Sequence, residues 1–304
     1  MKITYSAPAK VILSGEHAVV YGKPALVSAI NLRLRFHLTN FVRSSKDGNH
    51  HKEIFFISNK VKNYLTRKKI SYIDKPFNYK IESEIPVGRG LGSSAALSIA
   101  TATAFLEFYT GRQFDKKEIN NLAFQIEKHF HQNPSGVDNS ASCFGGLIIY
   151  QKSISLKKLN FKIPKDFEDK LLLIDSGKPK ETTGEMVKYV STRSITMIID
   201  KIEVITNKIK DSIEKNNIEL FKACLVENEK LLEDLGVVSN KTKKILQELS
   251  KFGVGKITGA GGRETNSGFI LFLADDKERL EEFLKRKKIY YYQFVPDYQG
   301  LQKI

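Results

Sequence analysis

A glycine-rich segment in the first third of the chain has the composition of a phosphate-binding loop. It reads IPVGRGLGSSAA over residues 85–96, with Gly88, Gly90 and Gly92 at alternate positions. Glycine removes the side chains that would keep a ligand away from the backbone. The serine pair that follows opens a predicted helix, and the free N–H groups of a helix N-terminus suit phosphate oxygens. The segment therefore predicts a phosphate site, although a turn that only caps a helix has the same composition.

Two better known phosphate-binding patterns do not describe this segment. No Gly-Lys-Ser/Thr sequence closes it, so it is not a Walker A loop. Its glycines are spaced i, i+2, i+4, whereas the dinucleotide fingerprint has the spacing i, i+2, i+5. If the segment binds phosphate, it does so as a different class of glycine loop.

An aspartate and a lysine in distant parts of the chain have settings that suit proton transfer. Asp138 lies in NPSGVDN, residues 133–139, just after a predicted helix that the Asn133-Pro134 step must end. A carboxylate in such a loop can take the proton of a substrate hydroxyl, but it can equally form an Asx turn. Lys10 precedes an apolar run, so part of its side chain is expected to be buried. The ordinary alternative is a surface lysine at a strand edge.

A second carboxylate borders the apolar face of the helix predicted before that loop. On a helical wheel of 100° per residue, Glu127 lies about 80° from the centre of the apolar stripe. A carboxylate next to a buried face needs a partner. Mg²⁺ bound to nucleotide phosphates would be one such partner, with Ser94 or Ser93 adding a hydroxyl ligand. A nearby lysine would be another.

The glycine-rich segment resembles, residue for residue, the phosphate-binding motif of the GHMP kinases. This family includes galactokinase, homoserine kinase, mevalonate kinase and phosphomevalonate kinase. Residues 6–26, SAPAKVILSGEHAVVYGKPAL, and residues 133–139 are similar to segments of the mevalonate kinases in particular. Residues 175–187, DSGKPKETTGEMV, resemble the Lys…Thr-Thr stretch of the family. The resemblance implies ATP-dependent phosphorylation of the primary hydroxyl of mevalonate, with ATP and Mg²⁺ as cofactors.

The resemblance also implies a role for individual residues. Asp138 is expected to be the catalytic carboxylate, with the ammonium of Lys10 beside it to favour the ionised form. Ser94 and Glu127 are the expected metal ligands. The residues expected at the ATP phosphates are Gly88, Gly90, Leu91, Gly92, Ser93, Ser94 and Ala95. Those expected at the substrate are Glu16, His17, Asp138 and Thr183, and Thr182 and Lys178 fall in the same matching segment as Thr183.

One motif departs from the family pattern. The third family motif is usually Gly-Ala-Gly-Gly-Gly-Gly followed by a small residue or cysteine. Here Gly-Ala-Gly-Gly at residues 259–262 runs into the charged stretch RETNSG at residues 263–268. The contacts that the extra glycines make near the phosphates are therefore in doubt. The departure leaves open a sister GHMP kinase that acts on another small alcohol or on phosphomevalonate.

The elements that must hold these residues fall into two groups along the chain. Up to residue 165, strand-like segments alternate with few helices, and the glycine loop joins a strand at 77–85 to a helix at 94–109. Residues 53–57 are predicted to be a strand, joined to the preceding one by a hairpin loop at residues 44–49. The next helix begins near Asp115, which with Glu118 resembles a capping box.

Beyond residue 165 the predicted order is strand, helices, two strands, helix and strand. This order matches a ferredoxin-like α+β layout with extra helices inserted after its first strand. We therefore expect an α+β protein with the two-domain GHMP-kinase fold. Residues 1–165 would form the ATP-binding, catalytic domain, which the resemblance implies is ribosomal-protein-S5-like, and residues 166–304 the ferredoxin-like domain.

The charge of the chain is concentrated in its first half. The net charge of the 304 residues is +15, and residues 1–164 hold 24 lysines and arginines against 11 acidic residues. This surplus would suit a nucleotide, a phosphorylated substrate, nucleic acid or a membrane surface, and a solvated lysine-rich face is the alternative. The sequence carries no basic-aromatic RNA motif or recognition-helix signature, so nucleic-acid binding is not expected.

Composition excludes two further classes of protein. Two cysteines cannot form a disulfide framework and fit a reducing compartment, and no secretory signal precedes the first strand. The longest apolar stretch, residues 95–108, falls short of the roughly 18–20 residues that span a bilayer. We expect a cytoplasmic enzyme with a small-molecule substrate and no membrane insertion, and the resemblance alone allows a homodimer.

Overall fold

The chain forms two antiparallel sheets with helices packed on them. The computed structural model describes residues 2–40, 51–130, 135–152 and 154–304. The strands are β1 (Lys2–Ser14), β2 (Pro24–Asn40), β3 (Phe77–Ser83), β4 (Leu147–Gln151), β5 (Ser155–Lys158), β6 (Leu171–Asp175), β7 (Gly253–Ile257), β8 (Phe269–Ala274), β9 (Tyr291–Gln293) and β10 (Gln302–Lys303). The α-helices are α1 (His51–Arg67), α2 (Ser93–Thr110), α3 (Lys116–Phe130), α4 (Val137–Phe144), α5 (Lys165–Lys170), α6 (Thr183–Ser191), α7 (Thr196–Glu214), α8 (Ile218–Asp234), α9 (Asn240–Leu249) and α10 (Lys277–Lys287).

The first sheet is built on two long strands. β1 and β2 pair over almost their whole length, with register shifts between Pro8 and Ala9 and between Ile12 and Ser14. The strand order is β10-β1-β2-β4-β5, and β3 pairs with the outer part of β2. α2 packs on this sheet and is buried from residue 95 to residue 109. The apolar residues of α2 are spread around the helix, and most of its polar residues are small serines and threonines, so it has no strongly polar face to turn to water and lies in the core.

The second sheet has the order β7-β8-β6-β9. Along the chain these strands follow the pattern β6, helices, β7, β8, α10, β9, which is a ferredoxin-like arrangement with the extra helices α6–α9 after its first strand. The prediction of an α+β fold, with a ferredoxin-like order of elements beyond residue 165, is confirmed. α7, one of the inserted helices, packs against β1 and β2 of the first sheet and against α8, which packs on β7 of the second sheet, so the two helices together join the sheets.

The C-terminal segment returns to the first sheet, where β10 pairs with β1. The buried side chain of Arg33, in β2, forms an ion pair with Asp297, which is also buried. The same guanidinium donates hydrogen bonds to Ser6 Oγ at 2.8 Å and to the carbonyl of Gly300 at 2.7 Å. The sequence did not reveal β10, because a strand of two residues has no periodic pattern.

One predicted element is wrong. Residues 53–57, expected to be a strand, belong to α1. Ile54, Ile57, Val61 and Leu65 recur at intervals of three and four residues, and all four are buried, as on one face of a helix. Five residues were too short a window to show that period. The predicted hairpin loop at residues 44–49 and the helix end at Asn133-Pro134 lie outside the described residues.

The second half of the chain was predicted closely. From β6 to β9 the elements follow the predicted order of strand, helices, two strands, helix and strand. The domain boundary at residue 165 stays a prediction. Among the helices of the described ranges, none is both long and apolar enough to cross a lipid bilayer.

Candidate active site

The glycine loop before α2 has the backbone geometry that its sequence predicts. Gly88, Gly90 and Gly92 have φ angles of 73°, 87° and 77°, in the left-handed region that side chains disfavour. Space is limited as well, since a Cβ on Gly90 would lie 3.1 Å from the carbonyl oxygen of Thr258. Gly92 is the N-cap of α2, so the loop leads directly into the N–H groups of the helix terminus.

An ion pair and two close approaches hold this loop against the second sheet. Arg89 forms an ion pair with Asp175, at the end of β6, whose side chain is buried. A Cβ on Gly268 would lie 2.8 Å from the carbonyl oxygen of Arg89, and one on Gly88 would lie 2.9 Å from Cε of Lys178. The loop is therefore fixed between the two sheets. The sequence analysis assigned no role to Arg89 or Asp175.

Lys10 and Asp138, far apart in sequence, meet beside the loop. The ammonium of Lys10 lies 3.0 Å from Oδ1 of Asp138. The lysine side chain is 3% exposed and that of the aspartate 37%. Asp138 is in the first turn of α4, which begins after Gly136 at a φ of 91°. A negative charge is favoured at a helix N-terminus. The structure thus brings the two expected catalytic residues together.

Glu127 lies on α3 with its carboxylate turned toward α2. It is 3% exposed, and it accepts hydrogen bonds from Ser98 Oγ at 2.8 Å and Ser94 Oγ at 3.4 Å. Burial raises the pKa of this carboxyl to about 7, the charge of Asp138 adds to the rise, and the two serine hydrogen bonds act against it. A carboxylate and a hydroxyl are the hard oxygen ligands that Mg²⁺ takes alongside phosphate. Glu127 and Ser94 therefore fit the expected Mg²⁺. The sequence analysis did not predict the hydrogen bond from Ser98 to Glu127.

His17 is fixed in one tautomer. Its Nε2 lies 3.0 Å from the carbonyl oxygen of Ala260, and because a carbonyl only accepts, Nε2 carries the hydrogen. Burial lowers the pKa of the imidazole to about 4, so the ring is neutral at pH 7. Nδ1 is then a hydrogen-bond acceptor. His17 has a φ of 57°, in the left-handed region, at the turn that follows β1.

Glu16 is held by a lysine that the sequence analysis did not single out. Its Oε1 accepts a hydrogen bond from Nζ of Lys256, in β7, and both side chains are fully buried. Within the described residues its other oxygen, Oε2, has no hydrogen-bond partner. Burial raises the pKa of this carboxyl, and the charge of Lys256 acts against the rise. A sequence signal did exist, since a lysine within an otherwise uncharged strand that leads into a glycine turn is unusual.

These residues meet at one cavity. It has a volume of about 470 Å³ and lies between the two sheets, bounded by the start of α6 on one side. Its apolar wall is formed by Ile12, Val19, Val20 and Val187. The expected site residues that line it are Lys10, Glu16, His17, Gly90, Glu127, Asp138 and Thr183.

The remaining expected phosphate ligands form the loop beside the cavity. Leu91 and Ala95 are buried, so their side chains belong to the core and only their backbone could meet a phosphate. The carbonyl of Leu91 accepts a hydrogen bond of 3.0 Å from the N–H of Lys10. The glycine loop and Lys10 are thus joined through a backbone hydrogen bond.

Thr182 and Thr183 differ in their surroundings. Thr182 is the N-cap of α6 and forms a capping box with Glu185. Thr183, the first residue of the helix, is exposed and lines the cavity. The side chain of Thr182 is therefore engaged in starting the helix, while that of Thr183 is placed for a ligand.

The charged stretch after the third glycine motif is held by an acidic side chain. Oε1 of Glu181 accepts hydrogen bonds from the backbone N–H groups of Arg263 and Glu264, each at 3.0 Å. The guanidinium of Arg263 lies 3.7 Å from the ring centroid of Tyr189, on α6. The stretch is thus bound to the segment that carries Thr183, and two of its N–H groups are already occupied.

Comparisons with known proteins agree with this geometry. A family model described as the GHMP kinases N terminal domain matches residues 57–146. The mevalonate kinase of Archaeoglobus fulgidus is 34% identical over 270 residues, covering 84% of this chain and 88% of that protein. That of Methanothermobacter thermautotrophicus is 33% identical over 280 residues, covering 86% and 88%.

The fold is shared with a solved relative. The crystal structure of the Methanococcus jannaschii mevalonate kinase aligns with a TM-score of 0.79 and 25% sequence identity, covering 97% of this chain and 98% of that one. Identity above 30% across most of both chains, as with the two archaeal sequences, reflects common descent. This chain therefore belongs to the mevalonate kinases of the GHMP kinase family.

Proposed function

We propose that this chain transfers the γ-phosphoryl group of ATP to the primary hydroxyl of mevalonate. The observation that carries the proposal is the pair of Lys10 and Asp138 in the cavity wall, directly beside the glycine loop. Phosphoryl transfer needs positioned reactants, neutralised charge and an oriented nucleophile more than covalent chemistry from the protein. The mevalonate kinases to which the chain is similar support mevalonate as the alcohol.

Asp138 accepts the proton of the hydroxyl as its oxygen attacks the γ-phosphorus, and ADP leaves with the electrons of the broken P–O bond. The ammonium of Lys10 stabilises the negative charge that develops on the attacking oxygen. Because Lys10 is buried and Asp138 is partly exposed in the cavity, the carboxylate can contact a substrate while the lysine stays fixed.

The ATP phosphates are bound by the glycine loop and the N-terminus of α2, whose backbone N–H groups supply donors and partial positive charge. Ser94 and Glu127 are the side chains that would hold Mg²⁺, which neutralises phosphate charge when bound. The ionised form of Glu127 is the form that serves as a ligand, and burial and the charge of Asp138 both work against it.

Glu16, His17 and Thr183 form the substrate end of the cavity. Because His17 is neutral and its Nε2 is occupied by Ala260, its Nδ1 accepts a hydrogen bond from a substrate hydroxyl. It does not act as a cation for the substrate carboxylate. The hydroxyl and N–H of Thr183, at the positive end of α6, are donors that suit that carboxylate.

The proposal includes a cytoplasmic location and no nucleic-acid partner. Both cysteines are free and buried, as suits a reducing compartment. The excess of positive charge in residues 1–164 then favours the binding of ATP and of an anionic substrate. Filter binding of RNA and DNA at ~150 mM salt should give no specific complex.

The test is ADP release by the purified protein with Mg·ATP, measured against mevalonate, phosphomevalonate, galactose and homoserine. Turnover that depends on mevalonate, with little for the other three, is the expected result. Turnover that depends on a different alcohol would overturn the substrate and the roles of Glu16 and His17, while leaving the glycine loop and Asp138 in place.

A further inference from the structure

Three charged side chains lie buried where the two sheets meet, and we refer to Glu16, Lys256 and Glu229 as the buried charge cluster. Lys256, on β7, bonds Oε1 of Glu16 and lies 3.5 Å from the carbonyl oxygen of Ile12. Glu229, on α8, accepts a hydrogen bond of 2.8 Å from the N–H of Ile257. The cluster thus joins the turn after β1 to the second sheet.

Stability alone does not explain a buried pair of this kind. Replacing a buried ion pair by apolar residues of similar size is often neutral or stabilising, because desolvation offsets the attraction between the charges. The pair also leaves one acceptor unused, since Oε2 of Glu16 meets no hydrogen-bond donor from the described residues. A buried carboxylate oxygen without a donor is costly unless a ligand supplies one.

The position of Glu16 indicates where that donor comes from. Glu16 lines the cavity alongside His17, and Lys10 and Asp138 line the same cavity. In the proposed reaction Asp138 is engaged with the hydroxyl that is phosphorylated. Mevalonate carries a second hydroxyl, which can donate a hydrogen bond to the Glu16 carboxylate.

We propose that Lys256 is a positioning residue, which holds the Glu16 carboxylate through Oε1 and leaves Oε2 to a ligand, so that Glu16 selects substrates carrying a second hydroxyl. The inference rests on the proposed function and deepens it. Lys256 itself does not touch the substrate, because it is not among the residues that line the cavity, whereas Glu16 is.

Of the two acidic side chains in the cluster, Glu16 is the one that pairs with Lys256. Burial raises the pKa of Glu229 to about 8, so this carboxyl is protonated at pH 7 and does not compete with Glu16. His17 is neutral, and Lys10, the other cation acting on Glu16, already pairs with Asp138. Burial raises the pKa of Glu16 and Lys256 opposes it, so without Lys256 the Glu16 carboxyl would keep its proton more readily.

The experiment compares mevalonate with 5-hydroxy-3-methylpentanoate, which keeps the reacting hydroxyl and lacks the second one. For the wild type, kcat/KM should favour mevalonate by about 10- to 100-fold, the size expected for a hydrogen bond to a charged group. In Lys256→Met this preference should fall to within about threefold, while KM for ATP stays unchanged. Lys222→Met, which removes a partly exposed lysine paired with Asp275, is the matched control and should keep the full preference.

A second variant guards against loss of folding. Lys256→Met leaves a buried carboxyl without its cation, whereas Lys256→Met/Glu16→Gln removes both charges and leaves none uncompensated. The double variant should fold and should also lose the preference. A merely structural role for Lys256 would lower Tm but leave the mevalonate preference of the folded variants at the wild-type value, and that result would overturn the inference.

Failure of the proposed function gives a different result. If the wild type does not turn over mevalonate at all, the proposed function is wrong, and this inference, which depends on it, is wrong too. If the wild type turns over mevalonate normally and both variants keep its preference over the analogue, the inference alone is wrong.

Discussion

Nζ of Lys10 lies 3.0 Å from Oδ1 of Asp138, and the same lysine side chain packs against the glycine loop. A Cβ at Gly92 would come within 2.9 Å of Cγ of Lys10. The N–H of Lys10 also bonds the carbonyl of Leu91. The groups that we assign to the phosphates and to proton transfer are therefore one packed unit, and a change in the loop should affect the carboxylate.

Replacing the carboxylate that we propose as the proton acceptor should abolish most turnover. In Asp138→Asn we expect kcat to fall by about 10²- to 10⁴-fold, because the amide cannot accept the proton of the hydroxyl. The measurement is steady-state ADP release, with circular dichroism to check the fold. Asp169→Asn, at an exposed aspartate on α5, should retain wild-type kcat. Near wild-type kcat in Asp138→Asn would remove this residue from the mechanism.

A side chain in the glycine loop should weaken ATP binding. In Gly90→Ala the methyl group meets both a φ of 87° and the Thr258 carbonyl oxygen at 3.1 Å. We expect a loss of about 1–2 kcal/mol in the free energy of unfolding from the left-handed backbone, and a raised KM for ATP.

Gly111 provides a control for the backbone effect alone. It has a φ of 75°, caps the far end of α2, and a Cβ there would meet no described atom within 4 Å. Gly111→Ala should lose a similar free energy of unfolding and keep its KM for ATP. Equal KM values for the two variants would contradict the assignment of the loop to ATP.

The buried carboxyl of Glu229 should make stability depend on pH. Burial raises its pKa to about 8 in the folded chain, from an ordinary value of 4.5. Between these values the folded state holds a proton that the unfolded state has lost, so the free energy of unfolding falls as pH rises from about 4.5 to about 8.

Glu229→Gln should flatten this slope and be stabilised relative to the wild type at pH 9, because the amide is neutral at every pH and can still accept from Ile257. Urea midpoints at pH 5, 7 and 9 measure the effect. Glu227→Gln, at an exposed position on the same helix, should keep the wild-type slope. An unchanged slope in Glu229→Gln would show that Glu229 is ionised in the folded protein.

Breaking the Arg33–Asp297 pair should destabilise the first sheet strongly. In Arg33→Met a buried carboxylate loses its cation, which typically costs about 3–5 kcal/mol. Arg35→Met is the matched control, since Arg35 pairs with Glu84 at the surface and such pairs contribute about 0–1 kcal/mol. Urea denaturation measures both. If both variants lost a similar free energy of unfolding, the buried pair would contribute no more to stability than the surface pair.

The sequence predicted those parts of the site that carry a local pattern. Alternate glycines before a helix gave the loop, and the helical wheel placed Glu127 at a buried border, where the structure has it. Lys10 and Asp138 were expected together only through the family resemblance, because nothing in either segment points to the other. The prediction of a strand at residues 53–57 was wrong because these five residues are too few to show the helical period of α1.

The sequence did not reveal ion pairs and hydrogen bonds between residues that are far apart in the chain. Arg89 meets Asp175, Glu16 meets Lys256, and Glu181 binds the backbone of residues 263–264. Each pair joins segments whose local sequences are compatible with many other partners. Ser98 was missed as well, although it lies one helical turn after Ser94 and so faces the same way.

The buried pair of Arg33 and Asp297 has a consequence for how the protein is made. The two residues are 264 positions apart in the chain. At synthesis rates of about 5–20 residues per second, Asp297 is added roughly 10–50 s after Arg33. Throughout that interval the inner part of β2 has a guanidinium without its carboxylate. The first sheet to be translated is thus among the last to be completed, and a ribosome-bound chain shorter than 297 residues should remain more open to proteases than the released protein.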